Sequence, residues 1–92
     1  MFKVFITSRA EREFAKLPRD LKEKFYRKFK KLEDPFSLDI KKISGTENGY
    51  RLRVGRWRIL FALFLKEKRI EIVDVFLKKG KEDYFKRIKL LP

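Results

Sequence analysis

The stretch Gly49-Tyr50-Arg51-Leu52-Arg53-Val54-Gly55-Arg56-Trp57-Arg58-Ile59-Leu60-Phe61 decides the fold. Apolar and charged residues alternate along two runs, split by Gly55-Arg56. Alternation at a period of two is the pattern of a strand with one buried face. Glycine first in a two-residue loop signals a type II′ hairpin, because that position needs a positive φ. The register then follows: Val54 opposes Trp57, Arg53 opposes Arg58, and Leu52 opposes Ile59. One face carries Tyr50, Leu52, Val54, Trp57, Ile59 and Phe61; the other carries Arg51, Arg53 and Arg58. Like charges directly opposite each other on a sheet destabilise it by about 0.2–1 kcal/mol. Two arginines kept in that position point to an anion that binds between them. The guanidinium suits the task, since its planar fork meets a phosphate through two hydrogen bonds and never loses its charge. The competing reading is that these arginines pair with nearby acids such as Glu71 or Asp74.

Working outward, Ile70–Leu77 is a third apolar run, set off by the polar turn Lys66-Glu67-Lys68-Arg69. The second half of the chain is therefore a β-meander. At the N-terminus, Phe2–Thr7 is β-branched and aromatic, a first strand. Ser8 followed by Glu11 three positions on is a capping-box signature, which predicts a helix starting at Ser8. Its apolar face is Ala10, Phe14 and Leu17, and Pro18 ends it. A second helix is predicted from Asp20 to Leu32, with Leu21, Phe25, Phe29 and Leu32 as its buried stripe. Asp34-Pro35 stops it. Two such helices form an antiparallel hairpin, which must cover the apolar face of the sheet. Phe36–Asn48 reads as a connecting segment anchored by Ile40 and Ile43. The tail Glu82–Leu91 spaces Phe85, Ile88 and Leu91 three apart, a short terminal helix. The class is α+β: an N-terminal strand, a two-helix antiparallel hairpin packed on a twisted, mostly antiparallel sheet, and a short C-terminal helix, in one domain over residues 1–92.

The composition narrows the chemistry. Lys and Arg number 26 against 13 Asp and Glu, a net charge of +13. With 43% hydrophobic residues the chain is no disordered polycation. That balance implies a polyanionic partner. The absence of Cys excludes disulfides and thiolate metal sites, and the absence of His removes the commonest general acid–base group. No cofactor is implied. No apolar run approaches the ~18 residues of a membrane span, and the first residues read as a strand rather than a signal peptide. The expectation is a cytoplasmic protein with no membrane partner. Trp57 lies on the apolar face and reads as core.

The hairpin, followed by a third strand and then Val75-Phe76-Leu77-Lys78-Lys79-Gly80-Lys81-Glu82-Asp83-Tyr84, resembles the RelE toxin family of toxin–antitoxin systems. The order of elements is similar to the RelE/ParE superfamily over nearly the whole chain. The resemblance implies a ribosome-dependent endoribonuclease that cuts mRNA, with the ribosome and mRNA as partners and a RelB-like antitoxin wrapped around it. It also implies a site. Arg51 and Arg53 stand where the well-studied branch has two lysines, Arg58 matches an arginine after the turn, Lys78 stands in place of a second arginine, and Tyr84 matches a tyrosine six residues beyond. An arginine cannot act as a base, so Arg51 could serve only as a charge. In the implied chemistry the ribose 2′-hydroxyl attacks the adjacent phosphate. Arg53 and Arg58 face the developing charge, Lys78 gives a proton to the leaving 5′-oxygen, and Tyr84 stacks on a base. The lysines of the second helix (Lys22, Lys24, Lys28, Lys30, Lys31) would contact ribosomal RNA. Two other classes remain open on the same scaffold: a ParE-like inhibitor of DNA gyrase, and a non-catalytic nucleic-acid-binding protein.

Overall fold

A computed structural model describes residues 1–80 and 82–92, with Glu82 and Asp83 described by their backbone. The chain forms β1 (Lys3–Ile6), α1 (Ser8–Ala15), α2 (Arg19–Lys31), β2 (Ile40–Lys42), β3 (Gly49–Val54), β4 (Trp57–Phe64), β5 (Arg69–Leu77) and α3 (Glu82–Arg87). Single 3₁₀ turns occupy Pro35–Ser37 and Ile88–Leu90. The five strands make one sheet in the order β1-β5-β4-β3-β2. β1 runs parallel to β5 and every other pairing is antiparallel. The α+β architecture read from the sequence is the one observed.

The hairpin follows the alternation. Val54 pairs with Trp57, Arg53 with Arg58 and Leu52 with Ile59. Gly55 sits at φ 62 while Arg56 keeps an ordinary negative φ, the type II′ pattern. The inward face of β3, β4 and β5 packs with the helices into the main core, which includes Leu52, Val54, Ile59, Phe61, Ile70, Ile72 and Val75 with Phe25 from α2 and Leu32 at its C-terminal cap. The Phe14 ring meets the Phe29 ring at 5.4 Å, tying α1 to α2. Phe25 is fully buried and meets Trp57 edge-to-face at 5.7 Å, which seats α2 on the hairpin.

A bulge at Val73 on β5, opposite the Leu60–Phe61 step of β4, shifts the pairing, so Leu60 opposes Asp74 and Phe61 opposes Ile72. On the other side of the sheet Leu60, Val73 and Phe76 form a second, smaller cluster covered by Ile43, Tyr84, Leu90 and Leu91. The sheet thus lies between the helix pair and the C-terminal segment.

Four details depart from the sequence reading. The segment Phe36–Asn48 contains β2, which pairs Ile40, Lys41 and Lys42 with Leu52, Arg51 and Tyr50. Three residues are too few to show alternation, so this edge strand leaves no periodic trace. The helix starts at Ser8 as expected, but Thr7 caps it, accepting from the Ala10 N–H at 3.3 Å. Thr7 is extended there because its own N–H still belongs to the sheet, donating to the Ile72 carbonyl. α2 begins at Arg19, one residue early, with Pro18 before it. In the tail, Phe85 is 79% exposed and is no anchor; Tyr84, Leu90 and Leu91 take that role. A six-residue helix followed by a 3₁₀ turn does not hold the regular spacing that put Phe85 inward.

The tail meets the sheet at Gly49. A Cβ there would lie 2.5 Å from Leu91 Cδ1 and 2.6 Å from Thr46 Oγ1. Thr46 Oγ1 cannot give way freely, since it donates to the Ile43 carbonyl at 2.7 Å and accepts from the Gly49 N–H at 3.1 Å. Gly49→Ala is therefore expected to destabilise the fold by about 1–3 kcal/mol. In thermal unfolding that is a fall of roughly 4–8 °C per kcal/mol for a chain of this size. An unchanged midpoint would show that Leu91 does not pack there.

Candidate functional site

The outward face of the sheet carries the charges. Arg53 and Arg58 are directly opposed in register, and Lys41 is opposed to Arg51 one strand over. In a two-residue hairpin the pair next to the turn-flanking residues is not hydrogen-bonded, which brings its side chains closest, about 4.5–5.5 Å between Cβ atoms. Two guanidiniums therefore stand side by side on a surface that would be more stable without one of them.

Neighbouring acids relieve little of this. Glu71 pairs with Arg69 at 2.9 Å and Asp74 with Arg87 at 2.8 Å, so neither neutralises the arginine pair. Arg53 Nε lies 3.7 Å from Asp39 Oδ2, both side chains mostly exposed. An exposed ion pair of that length contributes about 0–1 kcal/mol. Among the described residues, no carboxylate forms an ion pair with Arg51, Arg58, Lys41 or Lys78.

Arg58 is held by its own turn. Its Nη1 donates to the Gly55 carbonyl at 3.0 Å and to the Trp57 carbonyl at 2.8 Å. That fixes the orientation of the fork beside Arg53. Its Nε is buried and, among the described residues, has no hydrogen-bond partner. A buried donor left unpaired costs about 1–3 kcal/mol.

The remaining sequence-derived residues flank this pair. The Lys78 N–H donates to the Arg56 carbonyl at 3.0 Å, which ties the end of β5 to the hairpin turn. Lys78 Nζ lies 5.5 Å from the centre of the Tyr84 ring. The Tyr84 ring meets Phe76 edge-on at 5.7 Å, and Phe76 is the register partner of Arg58. Arg51 and Tyr84 also line a cavity of about 460 Å³, together with Lys41, Lys42, Ser44 and Ile88. So Arg53, Arg58, Lys78 and Tyr84 gather around the turn, and Arg51 stands one pair further along the same face. Trp57 lies on the helix side, partly buried against the main core.

Sequence reasoning missed Lys41 and Lys42, because the strand that carries them was read as a connection. Their one signal is the pair of lysines directly after Ile40. It also missed the fate of Asp74, which is 2% exposed. Burial pushes its carboxyl above the usual range, against the opposing pull of the Val75 N–H, Arg87 and Arg9. The arrangement as a whole is a cationic floor with an aromatic rim, suited to a phosphate and a flat ring next to it.

Among the described residues no helix is long and apolar enough to cross a membrane. No curated protein matches the chain. Several solved structures share its fold. The RelBE2 toxin–antitoxin complex from Mycobacterium tuberculosis is similar at a TM-score of 0.75 and 20% identity, over 84% of this chain and 98% of that one. The archaeal RelE–RelB complex from Pyrococcus horikoshii OT3 is similar at 0.73 and 26% identity, over 87% and 97%. The isolated E. coli RelE toxin is similar at 0.73 and 16% identity, over 97% of each chain. The family described as the ParE toxin of type II toxin-antitoxin system, parDE, matches residues 4–84. With that match spanning the helix pair, the sheet from Val4 onward and Tyr84, the chain belongs to this family of toxins of type II toxin–antitoxin systems, within the RelE/ParE superfamily.

Proposed function

We propose that this toxin is an endoribonuclease that cuts mRNA on the ribosome without a metal ion and is neutralised by a RelB-like antitoxin in the cytoplasm. The observation that carries the reading is the register-opposed pair Arg53 and Arg58, met only by the exposed Asp39 at 3.7 Å from Arg53 among the described residues, with the Arg58 fork held in place by its turn. The 2′-hydroxyl gives its proton to water and attacks the neighbouring phosphate, whose charge grows in the transition state; the O2′–P bond forms, the P–O5′ bond breaks and the 5′-oxygen leaves. Donors fixed in advance where charge develops need no reorganisation during the reaction. Arg53 and Arg58 fill that role, Arg51 holds a neighbouring phosphate, Lys78 protonates the leaving oxygen, and Tyr84 stacks on a base. The site has no evident general base. Alignment of the RNA on the ribosome offsets this, since orientation alone can contribute about 7–11 kcal/mol.

The antitoxin follows from the relatives. The M. tuberculosis and P. horikoshii toxins are both seen bound to RelB-type antitoxins, and a +13 toxin favours an acidic partner segment.

A second reading rests on the family match itself, which carries the ParE name: inhibition of DNA gyrase on the same scaffold. One pair of assays separates the two. In a translation reaction with mapped mRNA ends, new ends within the reading frame are expected, and only when ribosomes are present. Gyrase supercoiling is expected to continue unaffected. Intact mRNA with blocked supercoiling would replace the nuclease reading with the gyrase one, and neither effect would leave a nucleic-acid-binding protein.

A further inference from the structure

Asp74 plays no part in the chemistry above, yet its burial demands a reason. It lies on β5 in register with Leu60, under the C-terminal segment, and is 2% exposed. A carboxylate at that depth carries a large desolvation penalty, and an apolar residue of similar size would commonly be as stable or more so. Its two oxygens are both committed: Oδ1 accepts from the Val75 N–H at 3.0 Å and Oδ2 from Arg87 Nε at 2.8 Å.

Arg87 belongs to α3, and its guanidinium also lies 4.1 Å from the centre of the Phe76 ring. Tyr84, three residues earlier and so on the same side of the helix, meets that same ring edge-on at 5.7 Å. Two side chains of one short helix therefore grip one aromatic ring, and the buried carboxylate fixes the second of them. Six residues cannot hold a helix by backbone bonding alone, so its rotation over the sheet depends on side-chain contacts, these among them. The Tyr84 hydroxyl is buried and, among the described residues, has no hydrogen-bond partner. The ring is thus not placed by its own polar end.

We propose that Asp74 and Arg87 are positioning residues of the site, their buried ion pair setting the rotation of α3 and, through Phe76, holding the Tyr84 ring beside Lys78 and across the cavity from Arg51. The inference rests on the reading above in one respect only, that Tyr84 contacts the RNA. Neither residue touches substrate: Asp74 is sealed from solvent, and Arg87 points its Nε inward to reach it.

The test pairs a structural readout with a coupling measurement on the full chain. In NMR spectra, the Tyr84 ring resonances are expected to be displaced by the Phe76 ring 5.7 Å away. Asp74→Asn and Arg87→Ala are expected to move them toward free-tyrosine values, while the β3–β4 amide signals stay in place. Asp74→Asn keeps the side-chain shape, so it reports the lost charge even where a truncation disturbs packing. Unmoved ring resonances in both variants overturn the proposal. In ribosome-programmed cleavage, each variant and Tyr84→Ala is expected to lose roughly 5- to 100-fold, the worth of one stacked base. The double variant Arg87→Ala/Tyr84→Ala is expected to lose no more than Tyr84→Ala alone, since the two act as one unit. Losses that multiply would assign Arg87 a separate, merely stabilising role and overturn the proposal. Should the wild-type protein cut no RNA, the nuclease reading fails, and the ring resonances still decide the positioning role by themselves.

Discussion

Replacing Arg58 with alanine should abolish growth inhibition and lower mRNA cleavage by about 10²–10³, the usual loss for one fixed transition-state donor. The fold should survive. The variant loses two hydrogen bonds from Nη1 to the turn carbonyls, each worth about 0.5–1.5 kcal/mol. Against that, it removes the repulsion from Arg53, about 0.2–1 kcal/mol, and a buried unpaired Nε. The net change is at most about 2 kcal/mol by these terms. Arg53→Ala should behave alike, since it gives up only the 3.7 Å exposed contact to Asp39. Toxicity in cells and thermal unfolding of the purified variants check both halves. Variants that melt several degrees lower yet stay fully toxic would make the two arginines structural.

The opposite result is expected at Phe25. It is fully buried, and its ring meets Trp57 at the end of the hairpin. Phe25→Ala should cost about 3–5 kcal/mol, for lost burial and the cavity left behind. A domain of this size has a total stability on the order of 5–15 kcal/mol, so the melting temperature should fall by roughly 15–30 °C. The neighbouring Tyr26 is 63% exposed, and Tyr26→Ala should stay within about 0.5 kcal/mol of the parent. Circular dichroism melts of the pair decide the matter. A loss below about 1 kcal/mol at Phe25 would mean that α2 is not seated on the sheet through this ring.

These two residues show why part of the molecule can be read directly from its sequence. Phe25 repeats with Leu21 and Phe29 at helical spacing, and Arg58 alternates with Trp57 and Ile59 at strand spacing, so each declares its face. The glycine at Gly55 then fixes the register and with it the opposed arginines. What escaped the reading lacks a period. β2 is too short to alternate. The parallel docking of β1 beside β5 is set by the finished sheet and leaves no local mark. The Thr7 cap depends on a hydrogen bond to Ile72, far along the chain. Asp74 sits as a single acid within an apolar run and looks like a surface charge, until α3 folds over it and brings Arg87. At the site, the charges announced themselves, and the side chains that hold them in place did not.

The pairing of β1 with β5 has a consequence for the making of the protein. Lys3 lies beside Arg69 and Ile6 beside Ile72, so the first strand to be synthesised waits for the last. β5 also supplies the second neighbour of β4, and its end carries Lys78 to the hairpin turn. Contacts so distant along a chain form late, because the intervening loop must close first. On a translating ribosome, the helix pair, which ends at Lys31, emerges well before β5 at Arg69–Leu77, the strand that joins the sheet to β1. Until β5 has emerged, β1 has no partner in the sheet. The outward face with Arg53, Arg58 and Lys78 is assembled only once β5 has paired, so an antitoxin that recognises that face has nothing finished to bind before then.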